Sequence, residues 1–115
     1  MEQDAQRMLR LAEEADGGPE GVTALAELME KVVKGPGRLL AEYEPYLLAA
    51  RRPELRGPTR HWLEAISAYG HRYTDDPIRV RVLKGVIDGL LIQGLLTDTP
   101  PTAAEFEAVL RHVLL

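Results

Sequence analysis

The segment from Asp76 to Leu96 most restricts how this chain can fold, because it predicts a helix that is apolar around most of its circumference. At about 100° per residue, its apolar positions form two adjacent stripes that together cover roughly 220°. A helix resting on a single core needs little more than about 100°. The stripes are Val80, Leu83, Ile87, Leu90, Leu91 and Gly94, and Val82, Val86, Gly89, Gln93 and Leu96. The surplus stripe predicts a partner outside the core.

Glycines at positions 85 and 89 lie on or near the second stripe. Each costs about 1 kcal/mol of helix propensity, but a glycine lets another backbone approach closely. Together with an apolar stripe on the last predicted helix, this face predicts a homodimer that closes a four-helix bundle about a two-fold axis. The predicted interface residues are Val82, Val86, Gly89, Gln93, Phe106, Val109, Leu110 and Val113.

Composition sets the outer limits of the fold and of its chemistry. A chain of 115 residues is long enough for one domain, residues 1–115, and the absence of cysteine excludes disulfides and thiolate metal sites. A net charge of -4 without a basic cluster predicts no direct binding of nucleic acid. Neither a leader peptide nor an uninterrupted apolar span is present, so we expect a cytoplasmic protein that does not enter the membrane.

Helical periodicity, interrupted by glycine and proline clusters, predicts an all-α fold of about six helices. They run over about residues 2–15, 19–34, 39–50, 59–73 and 77–96, and from 102 onward. Asp76 before Pro77 predicts an N-cap with proline at the first helical position, and Thr102 with Glu105 predicts a capping box. Pro45 predicts a kink or a restart within the third helix.

The residues also carry a family resemblance. The segment LLAEYEPYLLAARRPELR (39–56), a later DP-initiated helix ending in VIDGLLIQGLL, and a short final amphipathic helix resemble the C-terminal regulatory domain of TetR-type transcriptional regulators. In that bacterial family, a helix-turn-helix domain binds operator DNA, while the C-terminal domain holds a small-molecule pocket and dimerises through its last two helices. The resemblance begins near the start of this chain, so we expect a regulatory domain without its own DNA-binding domain.

Aromatic side chains are the first candidates for a pocket, because most of them fall in the third and fourth predicted helices, where the resemblance implies an effector cavity. At helical spacing such residues also serve simply as core, and that interpretation stays open. A pocket built from them would suit a small hydrophobic or aromatic effector. The candidate ligand-binding residues are Tyr43, Tyr46, Trp62, Ile66, Tyr69 and Tyr73.

Polar residues in the same helices allow further hypotheses. Asp88 falls with Arg81 and Lys84 on the helical wheel, which predicts an ion-pair network, with a ligand or interface role as the alternative. His61 and His71 lie ten residues apart on one predicted helix and point about 80° away from each other, so they predict no shared metal ion.

No residue pattern predicts catalysis or a cofactor, because the sequence has no nucleophile elbow, no phosphate-binding glycine loop and no converging pair of carboxylates. The favoured hypothesis is therefore a small-molecule-sensing, dimerising regulatory domain, not an enzyme. The alternative is a structural helical homodimer that acts as a protein-protein interaction module without a small-molecule ligand. Saturable ligand binding would distinguish the two.

Overall fold

Six α-helices follow one another along residues 2–115, the part of the chain that the computed structural model describes. The prediction of an all-α fold is confirmed, since these residues contain no strand. A 3-10 helix, Pro53–Leu55, joins the third helix to the fourth. The helices are α1 (Glu2–Glu14), α2 (Pro19–Val33), α3 (Pro36–Leu48), α4 (Arg56–Gly70), α5 (Pro77–Leu95) and α6 (Ala103–Leu114).

The two helix starts with strong local signals begin where the sequence predicts. The Asp76 carboxylate accepts a hydrogen bond from the Ile78 amide at 2.9 Å, and Pro77 occupies the first position of α5. The Thr102 hydroxyl accepts from the Glu105 amide while the Glu105 carboxylate accepts from the Thr102 amide, both at 3.3 Å. Each start depends on residues within three positions of one another, which is why periodicity and capping rules find it.

The connection between α3 and α4 differs from the prediction. The 3-10 helix passes directly into α4, which begins at Arg56 and not at Thr59. The Arg56 guanidinium donates from Nε to the Ala49 carbonyl at 2.8 Å and from Nη2 to the Ala50 carbonyl at 3.0 Å. These bonds satisfy carbonyls at the end of α3. Pro45 lies inside α3, which does not restart there.

The core lies where α1 packs on α4, α2 packs on α6, and α5 contacts α2, α3, α4 and α6. Two small residues mark the closest approaches to α5. A Cβ on Gly94 would lie 2.8 Å from Cγ1 of Val33 on α2, and a Cβ on Gly70 of α4 would lie 3.1 Å from Cδ2 of Leu83. At these two points α5 therefore packs so closely on α2 and α4 that neither glycine has room for a methyl group.

The opposite face of α5 lies on the surface of the chain. Val82 is 47% exposed and Leu96 is 81% exposed, whereas Leu83 and Ile87 on the inner face are fully buried. A Cβ added to Gly85 or Gly89 would meet no atom within 4 Å. The surplus apolar stripe predicted from the sequence is thus exposed at Val82, Gln93 and Leu96 and half-buried at Val86 and Gly89.

Candidate functional site

Three aromatic side chains converge on the carboxylate of Asp88, an arrangement we call the Asp88 cluster. The hydroxyl of Tyr43 donates to Oδ1 of Asp88 at 2.8 Å, and the hydroxyl of Tyr46 donates to Oδ2 at 2.8 Å. The indole Nε1 of Trp62 donates to Oδ1 at 2.9 Å. One carboxylate on α5 therefore joins α3 and α4 through three neutral donors.

The helices bring these groups together by simple spacing. Tyr43 and Tyr46 lie one turn apart on α3, with ring centroids 5.4 Å apart and planes inclined by 74°, an edge-on contact. Trp62 faces them from α4 and is only 4% exposed. The rings shield one side of Asp88, which is itself half-buried.

The prediction of an ion pair between Asp88 and Arg81 or Lys84 is wrong. Among residues 2–115, no basic side chain lies within ion-pair distance of Asp88. Asp88 lies on the flank of α5, where the wheel allows contact either with its own helix or with α3 and α4. The three aromatic donors satisfy the carboxylate there without a counter-charge.

The environment keeps the phenols of this cluster protonated. Burial raises the pKa of Tyr43 far above its ordinary value, and the charge of Asp88 and the hydrogen bond to it raise the pKa further. Burial, followed by the hydrogen bond to Asp88, raises the pKa of Tyr46 in the same way. Both hydroxyls remain donors across the physiological pH range.

Tyr43 and Trp62 also form part of the wall of an apolar cavity, the inner cavity. Its free volume is about 20 Å³, room for roughly one water molecule. Two flexible methionines, Met8 of α1 and Met29 of α2, face it. The full lining is Asp4, Met8, Leu25, Leu28, Met29, Val32, Leu39, Glu42, Tyr43, Trp62, Ile87 and Leu91.

A second, wider cavity of about 140 Å³, the outer cavity, adjoins the first. It adds basic side chains to the shared wall, since Arg7, Lys31 and Arg38 line it together with Gly35. The two cavities are separated by residues that line both of them. These are Asp4, Val32, Leu39 and Glu42.

The shared wall carries a pair of carboxyl groups. Asp4 is 4% exposed and lies 3.4 Å from Nη1 of Arg7 and 3.4 Å from Nη2 of Arg38. Arg38 also places its Nε 3.4 Å from Oε1 of Glu42. Burial raises the pKa of Glu42, and the hydrogen bond with Asp4 and the charge of Asp4 raise it further. Both arginines approach this wall from its solvent side.

The remaining aromatic candidates belong to a different part of the molecule. Tyr69 donates its hydroxyl to the carbonyl of Gly21, and Tyr73 donates to the carbonyl of Gly18 at 3.1 Å, so the pair holds the start of α2. Neither lines the inner cavity. Ile66 is fully buried in the core between the two groups of rings. Of the six candidates, the structure brings together Tyr43, Tyr46 and Trp62.

The predicted interface residues divide between the surface and the core. Val82 and Gln93 are exposed, Val86 and Gly89 are half-buried, and Val109 on α6 is 37% exposed. Val113 is half-buried, whereas Phe106 and Leu110 are 1% and 0% exposed within the chain itself. Phe106 and Leu110 therefore belong to the core of the chain.

The histidines take part in local contacts. Nδ1 of His61 lies 3.0 Å from Oε2 of Glu2, which ties the start of α1 to α4, and His71 follows the last residue of α4. Within residues 2–115, no three side chains of the metal-binding types converge on one point.

Sequence reasoning missed the carboxyl groups of the cavity wall and the partners of Asp88. Asp4 lies four residues before Met8 and beside Ala5, on the apolar face of α1, and a charge in that position was the available signal. A buried charge on an apolar stripe needs partners, which here are Arg7, one turn further along α1, and Arg38 of α3. Nothing in the local sequence identifies the partner from α3.

A family model described as the tetracyclin repressor-like C-terminal domain matches residues 5–115, nearly the whole chain. This chain belongs to that family. The resemblance found in residues 39–56 and in the last two helices is thereby confirmed. No curated protein and no solved structure shows a significant match to the chain.

The family membership places both cavities and the outer face of α5 in a TetR-like C-terminal domain. Within the described part of this TetR-like domain, none of the helices combines the length and the apolar character needed to cross a bilayer.

Proposed function

We propose that this chain is the small-molecule-sensing and dimerising regulatory domain of a TetR-like transcriptional regulator. The observation that carries the proposal is the double use of α5. Ile87 and Leu91 line the inner cavity, while Val82, Gly89 and Gln93 face outward on the same helix. A change in the cavity and a change at the outer face therefore involve one rigid element.

The effector is a small hydrophobic or aromatic molecule that enters the inner cavity beside Tyr43 and Trp62. Ligand pockets for drug-sized molecules typically have volumes of about 300–1,000 Å³, so a free volume of about 20 Å³ requires the walls to move. Met8 and Met29 support this, because unbranched thioether side chains adopt new rotamers at low cost. Binding selects an arrangement of α1, α2 and α3 in which the cavity is open.

Homodimerisation covers the outer face. Val82, Val86, Gly89 and Gln93 meet their counterparts across a two-fold axis, with Val109 and Val113 of α6 at the edge. Phe106 and Leu110 support the seam from within each protomer. Obligate interfaces of this type bury more than about 2,000 Å² in total, so separating the subunits also destabilises each of them.

Asp88 connects the two activities. It directly precedes Gly89 of the seam, and its carboxylate holds two groups of the cavity wall, Tyr43 and Trp62. An effector that displaces either ring alters its hydrogen bond to Asp88, which shifts α5 and with it the spacing of the two subunits. In a TetR-like regulator, that spacing determines whether two recognition helices fit successive major grooves.

This chain itself is not expected to bind duplex DNA, because its net charge is -4. We also propose a cytoplasmic location and no catalytic activity. The second candidate function, a structural homodimer that acts as an interaction module without an effector, is favoured by one observation: the inner cavity is nearly filled by its own side chains.

Light scattering of the chain and of Gly89→Arg tests the dimer. We expect a dimer for the parent and a dissociated or destabilised species for the variant, because arginine places a charge at a dry helix crossing. Gly57→Arg is the matched control, since Gly57 lies on α4 and is equally open. It should remain a dimer. A folded parent monomer at micromolar concentration would refute the proposed assembly.

Thermal-shift screening against a panel of metabolites and drugs separates the two candidate functions. A saturable rise in melting temperature, weakened by Tyr43→Ala, is expected for the sensing domain. A dimer that responds to no panel member would favour the structural module.

A further inference from the structure

An apolar groove runs across the surface between the start of α3 and the end of α5. It has a volume of about 410 Å³. Leu40 on the α3 side is 49% exposed, and Leu96 on the α5 side is 81% exposed. Leu96 also belongs to the second apolar stripe of α5, so the groove continues directly from the outer face of that helix. The lining residues are Pro36, Gly37, Leu40, Ile92, Leu95 and Leu96.

The outer face of α5 has a pattern that reads the same in both directions from Ile87. Gly85 and Gly89 lie two residues on either side of Ile87. Ile78 and Leu96, both exposed, lie nine residues on either side of it. At about 100° per residue, these four positions fall within about 20° of the line directly opposite Ile87. Such a face is complementary to a second copy of itself that runs in the opposite direction.

The charges of α5 also favour the antiparallel arrangement. Its first half carries Arg79, Arg81 and Lys84, and a parallel pair of helices would bring these groups close to their own counterparts. In an antiparallel pair centred on Ile87, the two copies of Arg81 lie about 18 Å apart, beyond the screening length of about 8 Å at physiological salt. Each then faces the last turn of the partner helix, whose carbonyl groups carry partial negative charge.

We propose that the groove of each copy is occupied by Ile78 from the α5 of a second copy. With the two helices antiparallel and closest at Gly85 and Gly89, the partner's Ile78 lies opposite Leu96 and enters the groove toward Leu40. Ile78 is 67% exposed within the chain, so this contact covers three large exposed apolar side chains and occurs twice in the dimer.

This inference rests on the proposed dimerisation and adds a contact that the seam between α5 and α6 does not contain. Leu40 lies one turn before Tyr43 on α3, and Tyr43 lines the inner cavity. The partner's Ile78 therefore touches the helix that forms part of the cavity wall, and a movement of α3 reaches the second copy without passing through α5.

Introduced cysteines test the arrangement directly, because the chain contains none of its own. Ile78→Cys combined with Leu96→Cys should give a covalent dimer on a non-reducing gel after mild oxidation, since a disulfide requires Cα atoms within about 7 Å. Within one chain the two positions lie eighteen residues apart along α5, about 27 Å, so no internal disulfide competes.

The two single variants are the controls. Ile78→Cys alone, or Leu96→Cys alone, places its two cysteines about 27 Å apart across the two-fold axis and should stay uncross-linked. A covalent dimer from either single variant would overturn the proposed register. A double variant that does not cross-link, although light scattering reports a dimer, would overturn it as well and leave the proposed dimerisation standing. A folded parent monomer would refute both.

A second measurement tests the occupant of the groove. Ile78→Ser should raise the dissociation constant of the dimer at least about tenfold, because each dimer buries two copies of this side chain. Leu47→Ser is the matched control, since Leu47 is 62% exposed and lies on α3 outside the groove. It should leave the dissociation constant unchanged. Circular dichroism checks that both variants fold, and an unchanged constant for Ile78→Ser, or an equal rise in both variants, would contradict the proposal.

Discussion

Two pairs of tyrosines in this chain look alike in sequence and differ in what they hold. Tyr43 and Tyr46 lie on α3, and Tyr69 of α4 is paired with Tyr73 of the turn that follows it; in each pair the ring centroids are 5.4 Å apart. The first pair donates to the side chain of Asp88, and the second donates to main-chain carbonyls at the start of α2. A carboxylate can change its rotamer or its position, whereas those carbonyls move only with their segment of backbone.

This difference separates a site from a structural joint. At the start of α2, a Cβ on Gly21 would clash with the Tyr73 hydroxyl, so the tyrosine packs directly against the backbone of α2. At the Asp88 end, the aromatic wall borders a cavity whose other side contains two methionines. Tyrosine thus fixes the fold where its acceptor is main chain, and it forms an adjustable wall where its acceptor is a side chain.

Removing a ring from the structural joint should have the largest effect. Tyr69→Ala is expected to lower the free energy of unfolding by about 3–5 kcal/mol, because Tyr69 is fully buried and the change leaves both a void and the Gly21 carbonyl without its donor. Urea unfolding measures this. Tyr73→Ala should cost less, since Tyr73 is only half-buried. A cost below about 1 kcal/mol for Tyr69→Ala would break the assignment of this pair to the fold.

Removing the shared acceptor of the Asp88 cluster should have an intermediate effect. Asp88→Ala leaves the hydroxyls of Tyr43 and Tyr46 and the indole N–H of Trp62 without their acceptor, and we expect a loss of about 1–3 kcal/mol. Asp88→Asn keeps one carbonyl oxygen and should lose less. Urea unfolding gives the free energies, and the near-ultraviolet circular dichroism of Trp62 should change in both variants.

The exposed Asp75 supplies the control for that series. Asp75→Ala should change stability by less than about 0.5 kcal/mol and leave the tryptophan signal unaltered. If Asp88→Ala changed the free energy of unfolding and the tryptophan signal as little as Asp75→Ala, the hydrogen bonds of the Asp88 cluster would not contribute measurably to stability.

For each tyrosine taken singly, alkaline pH should have the smallest effect. Burial raises the pKa of Tyr43 and of Tyr69 above the ordinary 10.0, so the folded chain keeps protons that the unfolded chain loses. Stability is therefore full below pH 10.0 and falls as the pH rises through that value, by up to about 1.4 kcal/mol per pH unit for each such tyrosine.

Tyr43→Phe and Tyr69→Phe should each make this fall shallower in urea unfolding measured from about pH 9 to about pH 11. The charge of Asp88 contributes to the shift of Tyr43 but is not among the causes for Tyr69. A slope that neither phenylalanine variant changes would contradict the raised pKa of the two tyrosines.

Local chemistry made much of the fold predictable. Asp76 with Pro77, and Thr102 with Glu105, mark helix starts by bonds to neighbours in sequence, and the surplus apolar stripe of α5 follows from periodicity alone. The start of α4 was missed because Arg56 both begins that helix and satisfies the end of α3. No rule that treats one helix at a time contains that double role.

The candidate site was predictable only in part, for a geometric reason. The sequence places Trp62, Tyr69 and Tyr73 on one face of the predicted fourth helix, but over eleven residues a helix rises about 16 Å, far enough for its two ends to meet different elements. The partners of Asp88 likewise depend on how closely α3 and α4 approach the flank of α5. Periodicity fixes the direction of a side chain from its own helix axis and leaves the neighbour in that direction unknown.

The double use of α5 has a consequence for how this domain can diverge. Between Ile87 and Gly89, three consecutive residues face the cavity, the aromatic wall and the outer face in turn, so a substitution in this stretch affects more than one of them. Met8, Met29 and Leu39 line the cavity from other helices, and none of them belongs to the outer face of α5. New effector preferences should therefore arise by drift on α1, α2 and α3, while α5 stays comparatively constant as a lineage exchanges one chemical signal for another.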